Sequence, residues 1–129
     1  MIVGIGVDII SVKRVNSMLS KYGDRFIERV FVKEEADYCR CMKHSAEHFA
    51  ARFAAKEAVA KALGTGFGRG VGLKDIAVIR TASGQPRVRL IGGAARAAGR
   101  MGVDEVYLTL SHSRTEAIAF AVAEGHVTR

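Results

Sequence analysis

Residues 52–66 read RFAAKEAVAKALGTG, and the architecture follows from this stretch. Alanine is the strongest helix former, so the segment is helical with little help from its surroundings. Set into that background, Glu57 and Lys61 stand four residues apart with the acid N-terminal to the base, the favoured order on a helix face. Ala50, Ala54 and Ala58 share that side at about 100° per residue, so the two charges rise from a low strip with room for a polyanionic ligand and a metal. Taken alone, the pair reads as a surface ion contact worth roughly a few tenths of a kcal/mol. Phe49, Phe53, Val59 and Leu63 spread apolar character over nearly every other side, and a helix apolar all round is a buried one.

Upstream, Ile2 to Ile10 reads IVGIGVDII, a period-2 strand pattern. Val3, Ile5, Val7 and Ile9 share one face, while Gly4, Gly6 and Asp8 share the other. Glycine inside a strand often marks the close approach of a ligand or another backbone. If the Glu57 helix crosses this strand, Asp8 and Glu57 converge with Lys61 beside them. One or two carboxylates plus phosphate oxygens is the usual way for a protein to hold magnesium.

The remaining elements read coarsely as follows. The strand covers residues 2–9. Helices are expected from about Val12 to Tyr22, Arg25 to Val30, Lys33 to Met42, and Ser45 or nearby to Leu63. Gly64, Gly66, Gly68, Gly70 and Gly72 alternate in a loop that matches neither the P-loop nor the dinucleotide fingerprint. It follows a helix C-terminus, so its simplest role is a C-cap. Asp75–Arg80 and Arg87–Ile91 flank the turn signal Ser83-Gly84. A short helix at Gly93–Arg100 precedes Val106–Leu110, which pairs with Ala117–Ala123 around the connection SHSRT containing His112. No linker, repeat or low-complexity segment interrupts residues 1–129, and one domain is expected.

The net charge is +7 at pH 7, which implies a polyanionic partner without naming it. A nucleic-acid-binding protein is one reading. Against it, the chain lacks interleaved aromatic and basic residues, zinc-finger spacing and an aromatic-rich strand. Cys39 and Cys41 are poor evidence for zinc or a disulfide and read as free thiols. His44, His48 and His126 read as surface histidines, and Tyr22, Tyr38 and Tyr107 as packing residues. No apolar run reaches the ~18 residues that span a membrane, and the apolar start reads as a strand rather than a leader. A cytoplasmic location with no membrane contact is expected.

The strand GIGVDII followed by Arg14, the helix FAAKEAVAKALGTG and the late LTLSHS hairpin, in that order, resemble the holo-[acyl-carrier-protein] synthase family, the short-chain 4'-phosphopantetheinyl transferases. The resemblance covers nearly the whole chain. It departs at Val32, where the family commonly has threonine after phenylalanine; threonine there would cap the next helix, a loss of about 1 kcal/mol. The implied fold is α+β, an antiparallel sheet packed against a long central helix. The implied reaction is transfer of 4'-phosphopantetheine from coenzyme A to a serine of apo-acyl carrier protein, supporting fatty acid biosynthesis.

That resemblance assigns roles residue by residue. Asp8 and Glu57 would hold Mg2+, with Mn2+ as the alternative, and Lys61 would neutralise the phosphates. Lys61, Glu57 or a water bound to the metal are the candidate bases. His112 would orient a phosphate, and Arg52 would contact the nucleotide, with the amides of Gly64 and Gly66 also near it. Arg14, Met18, Lys21 and Arg25 would dock the acyl carrier protein. Yet Arg52 stands about 140° around the helix from Glu57, so one face cannot present both to one ligand. The family is known for homotrimers, and a site between subunits would resolve that mismatch. A nucleotide-binding trimer without chemistry is the third reading.

Overall fold

A computed structural model describes residues 1–126. In chain order it comprises β1 (Ile2–Ser11), α1 (Val12–Tyr22), α2 (Asp24–Val30), α3 (Lys33–Arg40), α4 (Ser45–Ala62), a 3₁₀ turn (Leu73–Asp75), β2 (Ile76–Arg80), β3 (Pro86–Leu90), α5 (Gly92–Met101), β4 (Val103–His112) and β5 (Glu116–Gly125). Strands β1, β5 and β4 form an antiparallel sheet in that order, and β2 and β3 form a separate hairpin. The helices fall within a residue or two of the expected ranges. The β4–β5 hairpin is longer than its composition suggests. Ser111 and His112 look like turn residues, but they pair with Ile118 and Ala117, so the ladder outruns the propensity signal.

Helix α4 lies across the sheet, and the reason is steric. A Cβ on Gly4 would stand 1.9 Å from the carbonyl oxygen of Ala62, and one on Gly6 would stand 2.0 Å from that of Ala58. The glycine face of β1 therefore receives a helix backbone, not a ligand. Ala119, Ala121 and Ala123 continue the shallow floor on β5, each at most 1 % exposed. The opposite face of β1 is turned outward: Ile5, Val7 and Ile9 are exposed, as are Ile118 and Phe120 on β5. Its apolar residues thus stay uncovered within one chain, and the small ones are buried.

Eleven of the eighteen residues of α4 are buried, as a helix apolar on all sides requires. One of them is Lys56, fully buried with its partner Glu35. The Lys56 ammonium donates to Glu35 Oε1 at 2.8 Å, to the Leu73 carbonyl at 3.0 Å and to the Ile76 carbonyl at 2.6 Å, using all three donors. Glu35 also accepts from the amides of Val32 and Val78, both at 2.9 Å. Burial pulls the Lys56 ammonium below the ordinary lysine range, and Glu35 opposes that shift. This cluster ties α3, α4 and β2 together. It also supplies one half of a capping box, since the Glu35 carboxylate accepts the Val32 amide, while the half that a threonine side chain at position 32 would add is missing.

At the other end α4 closes in a Schellman motif. Gly64 adopts φ 70°, its amide donates to the Lys61 carbonyl at 3.0 Å, and that of Thr65 donates to Ala60 at 3.1 Å. The expected glycine C-cap is therefore present.

Gly6→Ala drives a methyl group into the α4 backbone, which has no side chain to move aside. The expected loss is about 3 kcal/mol, read as a lower urea midpoint for the variant. An unchanged midpoint would show that β1 and α4 do not depend on this approach.

Candidate active site

The close packing of β1 on α4 determines where the charged groups fall. Asp8 follows Gly6 by two residues on the same strand face, and Glu57 precedes Ala58, whose carbonyl lies over Gly6. Both carboxylates line one cavity of about 300 Å³, together with Arg14, Met18, Phe26 and Phe53. Lys61 donates to Asp8 Oδ1 at 3.2 Å and to the Val7 carbonyl at 2.9 Å. The ammonium is thus ion-paired with Asp8 rather than with Glu57, the partner suggested by helical spacing alone. The contact is tertiary, across 53 positions of sequence.

Burial, then the negative charge of Asp8, hold the Glu57 carboxyl above the ordinary glutamate range, while Lys61 acts in the opposite direction. A second carboxylate in a partly desolvated cavity disfavours ionisation of the first. A divalent cation between them would relieve that repulsion, so the donor set fits magnesium. Among the described residues, no three His, Cys, Asp or Glu side chains gather to hold a metal ion by themselves. The two carboxylates would form part of a shell that substrate oxygens complete, as is usual for magnesium.

Arg52 belongs to a different surface of α4. It is 5 % exposed, its guanidinium lies 4.2 Å from the centre of the Tyr38 ring, and its Nε has no hydrogen-bond partner among the described residues. Arg80 approaches the same ring and hydrogen-bonds the Tyr38 hydroxyl. His48 meets Tyr38 edge-on, and His112 meets His48 with ring centres 4.9 Å apart. His112 Nδ1 lies 3.0 Å from Glu47 Oε1. Tyr38 packs against the core as expected, but its ring, like that of His48, also carries polar contacts that residue type alone does not suggest. Both build the cluster that joins Arg52 to His112.

The other expected residues divide. Arg14 and Met18 stand in the Asp8–Glu57 cavity, and Arg25 lines an adjoining one of about 630 Å³ that shares Met18, Phe26 and Phe53. Lys21 stands apart, its ammonium 5.2 Å from the Tyr22 ring. The Gly64 amide donates to the Lys61 carbonyl within the helix cap. Gly66, at φ 59°, lies beyond that cap. Lys56 and Glu35 were missed. The available signal was a lysine on the helical stripe of Phe49, Val59 and Leu63, an apolar line no unpaired ammonium would occupy.

Comparison with known proteins identifies the family. Residues 4–123 match the family model of the 4'-phosphopantetheinyl transferase superfamily. The holo-[acyl-carrier-protein] synthase of Desulforudis audaxviator is 50 % identical over 125 residues, covering 97 % of this chain and 95 % of the relative. A crystal structure of holo-[acyl-carrier-protein] synthase from Neisseria meningitidis superposes with a TM-score of 0.86 at 37 % identity, covering 96 % of this chain and 99 % of that one. The Bacillus anthracis enzyme, crystallised in complex with CoA (3',5'-ADP), gives 0.80 at 38 % identity, covering 98 % and 99 %. The nucleic-acid reading of the charge finds no support among these relatives.

In the metal-free protein, carboxyl NMR should place the Glu57 titration above that of an ordinary glutamate. Asp8→Asn should bring it down by removing one negative charge. A midpoint that does not respond to Asp8→Asn would mean the two carboxylates do not share a field.

Proposed function

The chain belongs to the 4'-phosphopantetheinyl transferase superfamily, and from that premise we propose that it is a holo-[acyl-carrier-protein] synthase. It transfers 4'-phosphopantetheine from coenzyme A to a serine hydroxyl of apo-acyl carrier protein and releases adenosine 3',5'-bisphosphate, supporting fatty acid biosynthesis. The observation that carries this reading is the meeting of Asp8 and Glu57 in a cavity whose other wall is Arg14 and Met18, with Lys61 ion-paired to Asp8.

The serine oxygen attacks the diphosphate phosphorus that bears the pantetheine arm, and the bond from that phosphorus to the bridging oxygen breaks. Such a reaction depends mainly on positioning and charge neutralisation. Asp8 and Glu57 would hold Mg2+, or Mn2+ in its place, and the bound ion supplies positive charge to the diphosphate oxygens. Lys61, ion-paired with Asp8, serves as a cation beside the same oxygens. Glu57 lines the cavity that would admit the serine, and it would take the serine's proton unless Lys61 or a water bound to the metal does so. Arg14, Met18 and Arg25 border the two adjoining cavities and would receive the carrier protein, with Lys21 on the rim. The positive charges suit an acidic partner.

Arg52 and His112 would bind the nucleotide, and they cannot do so at the Glu57 of their own chain. Arg52 lies under Tyr38 and His48, on another side of α4 from the Asp8–Glu57 cavity. We therefore place the complete site between subunits of a homotrimer. The outward apolar residues Ile5, Val7, Ile9, Ile118 and Phe120 support such assembly, because contiguous exposed apolar surface commonly marks an interface. The whole chain would act as one transferase domain. Among the described residues no helix is long and apolar enough to cross a membrane, and we place the enzyme in the cytoplasm.

Incubation with coenzyme A, Mg2+ and apo-acyl carrier protein should raise the carrier mass by one phosphopantetheine. The gain should vanish with EDTA, Asp8→Ala or Glu57→Ala. No gain with any apo-carrier would sink the transferase reading.

Arg52→Ala and Glu57→Ala, each inactive alone, should recover activity when unfolded and refolded together, because mixed trimers contain sites with both groups intact. Silence of every mixture would refute the divided site, as would coenzyme A touching Arg52 and Glu57 of one chain.

A further inference from the structure

Glu47 lies in the first turn of α4 with its side chain 13 % exposed, and its Oε1 is 3.0 Å from His112 Nδ1 at the end of β4. The contact joins groups 65 positions apart in sequence. An ionised carboxylate only accepts hydrogen bonds, so Nδ1 of His112 is the donor and Nε2 is left for another partner. The surrounding charges make this carboxylate unusual. His48 lies against His112 from α4, and Arg52 and Arg80 approach the Tyr38 ring beside His48 from α4 and β2. Burial, then the positive charges of His112 and Arg52, hold His48 below the ordinary histidine range. Glu47 brings a negative charge into a cluster otherwise composed of cations and neutral rings.

We propose that Glu47 is the positioning residue for His112: its carboxylate fixes the ring with Nδ1–H donated inward and Nε2 presented to a phosphate oxygen of coenzyme A. The same carboxylate balances the imidazolium, the only form of the ring that donates from both nitrogens at once. An acid that orients a histidine and stabilises its charge is a recurring arrangement in catalysis. The inference rests on the placement of His112 at the nucleotide. It adds that His112 alone is insufficient: with Nδ1–H held by Glu47, Nε2 donates to an anion only when the ring carries both protons, and the adjacent carboxylate favours that form.

Glu47→Gln keeps an acceptor oxygen without the charge, and Glu47→Ala keeps neither. In steady-state assays of the full chain with Mg2+, Glu47→Ala should raise KM for coenzyme A about tenfold, the scale of one charge-assisted hydrogen bond. Glu47→Gln should fall between this variant and wild type, and KM for the carrier protein should be unchanged in both. Neither substitution should add to the effect of His112→Ala. Independently, ¹⁵N NMR of the ring nitrogens, assigned by their loss in His112→Ala, should show a hydrogen-bearing Nδ1 in wild type and in Glu47→Gln. That fixed state should be lost in Glu47→Ala. Equal penalties with and without His112, or ring signals that Glu47→Ala leaves in place, would overturn the proposal. His112→Ala with an unchanged KM for coenzyme A would instead remove His112 from the nucleotide site, and the role of Glu47 would fall with it. The NMR result separates these failures, because it reads the Glu47–His112 contact without substrate.

Discussion

The contact between two backbones, β1 at Gly4 and Gly6 and α4 at Ala58 and Ala62, is the constraint from which the rest of this structure follows. A methyl group on either glycine would overlap a helix carbonyl, so the approach tolerates no side chain on the strand. It fixes the depth at which α4 lies and therefore the distance from strand to helix. Asp8, two residues further along β1, reaches the same cavity as Glu57 because the helix sits this low. Lys61, one turn beyond Glu57, reaches both a β1 carbonyl and the Asp8 carboxylate. The charged site is thus a by-product of small residues packed where larger ones would hold the elements apart.

The rotation of α4 about its own axis has a different determinant. Lys56 spends its three donors on Glu35, Leu73 and Ile76. Burying an ion pair is expensive, and breaking one by removing a partner commonly costs about 3–5 kcal/mol. The pair therefore allows one orientation, with Lys56 toward α3 and β2. Glu57, the next residue, then faces the sheet edge and α1, and Arg52, four residues before Lys56, faces Tyr38. One helix presents a cavity with two carboxylates on one side and the buried Arg52 guanidinium on another. Two incomplete surfaces on one helix are what a site shared between neighbouring subunits would require. In the proposed trimer the outward apolar face of the sheet would supply a place for such neighbours to meet.

Much of this was legible in the chain itself. Helix positions followed from alanine content, caps and glycine stops, because these are local properties. The meeting of Asp8 with Glu57 was legible too, since a strand face made of glycines can only be meant for something that comes close. The end of β4 was not, because Ser111 and His112 carry turn composition and are held in the ladder by their partners on β5. The roles of His48 and Tyr38 were also hidden. A histidine or tyrosine gains meaning only from the cations and rings that other elements bring to it.

By itself, the sequence determined a helix too apolar to be anything but central, a strand with one bare face, and a carboxylate and a lysine spaced to share a helix face. Those are consequences of periodicity and side-chain size, which act over a few residues. Only the tertiary structure decided that Lys61 pairs with Asp8 instead of Glu57, that the apolar side of β1 faces outward, and that Glu47 meets His112. Each depends on groups separated widely in sequence or on competition for one hydrogen bond, and neither is encoded in any local pattern.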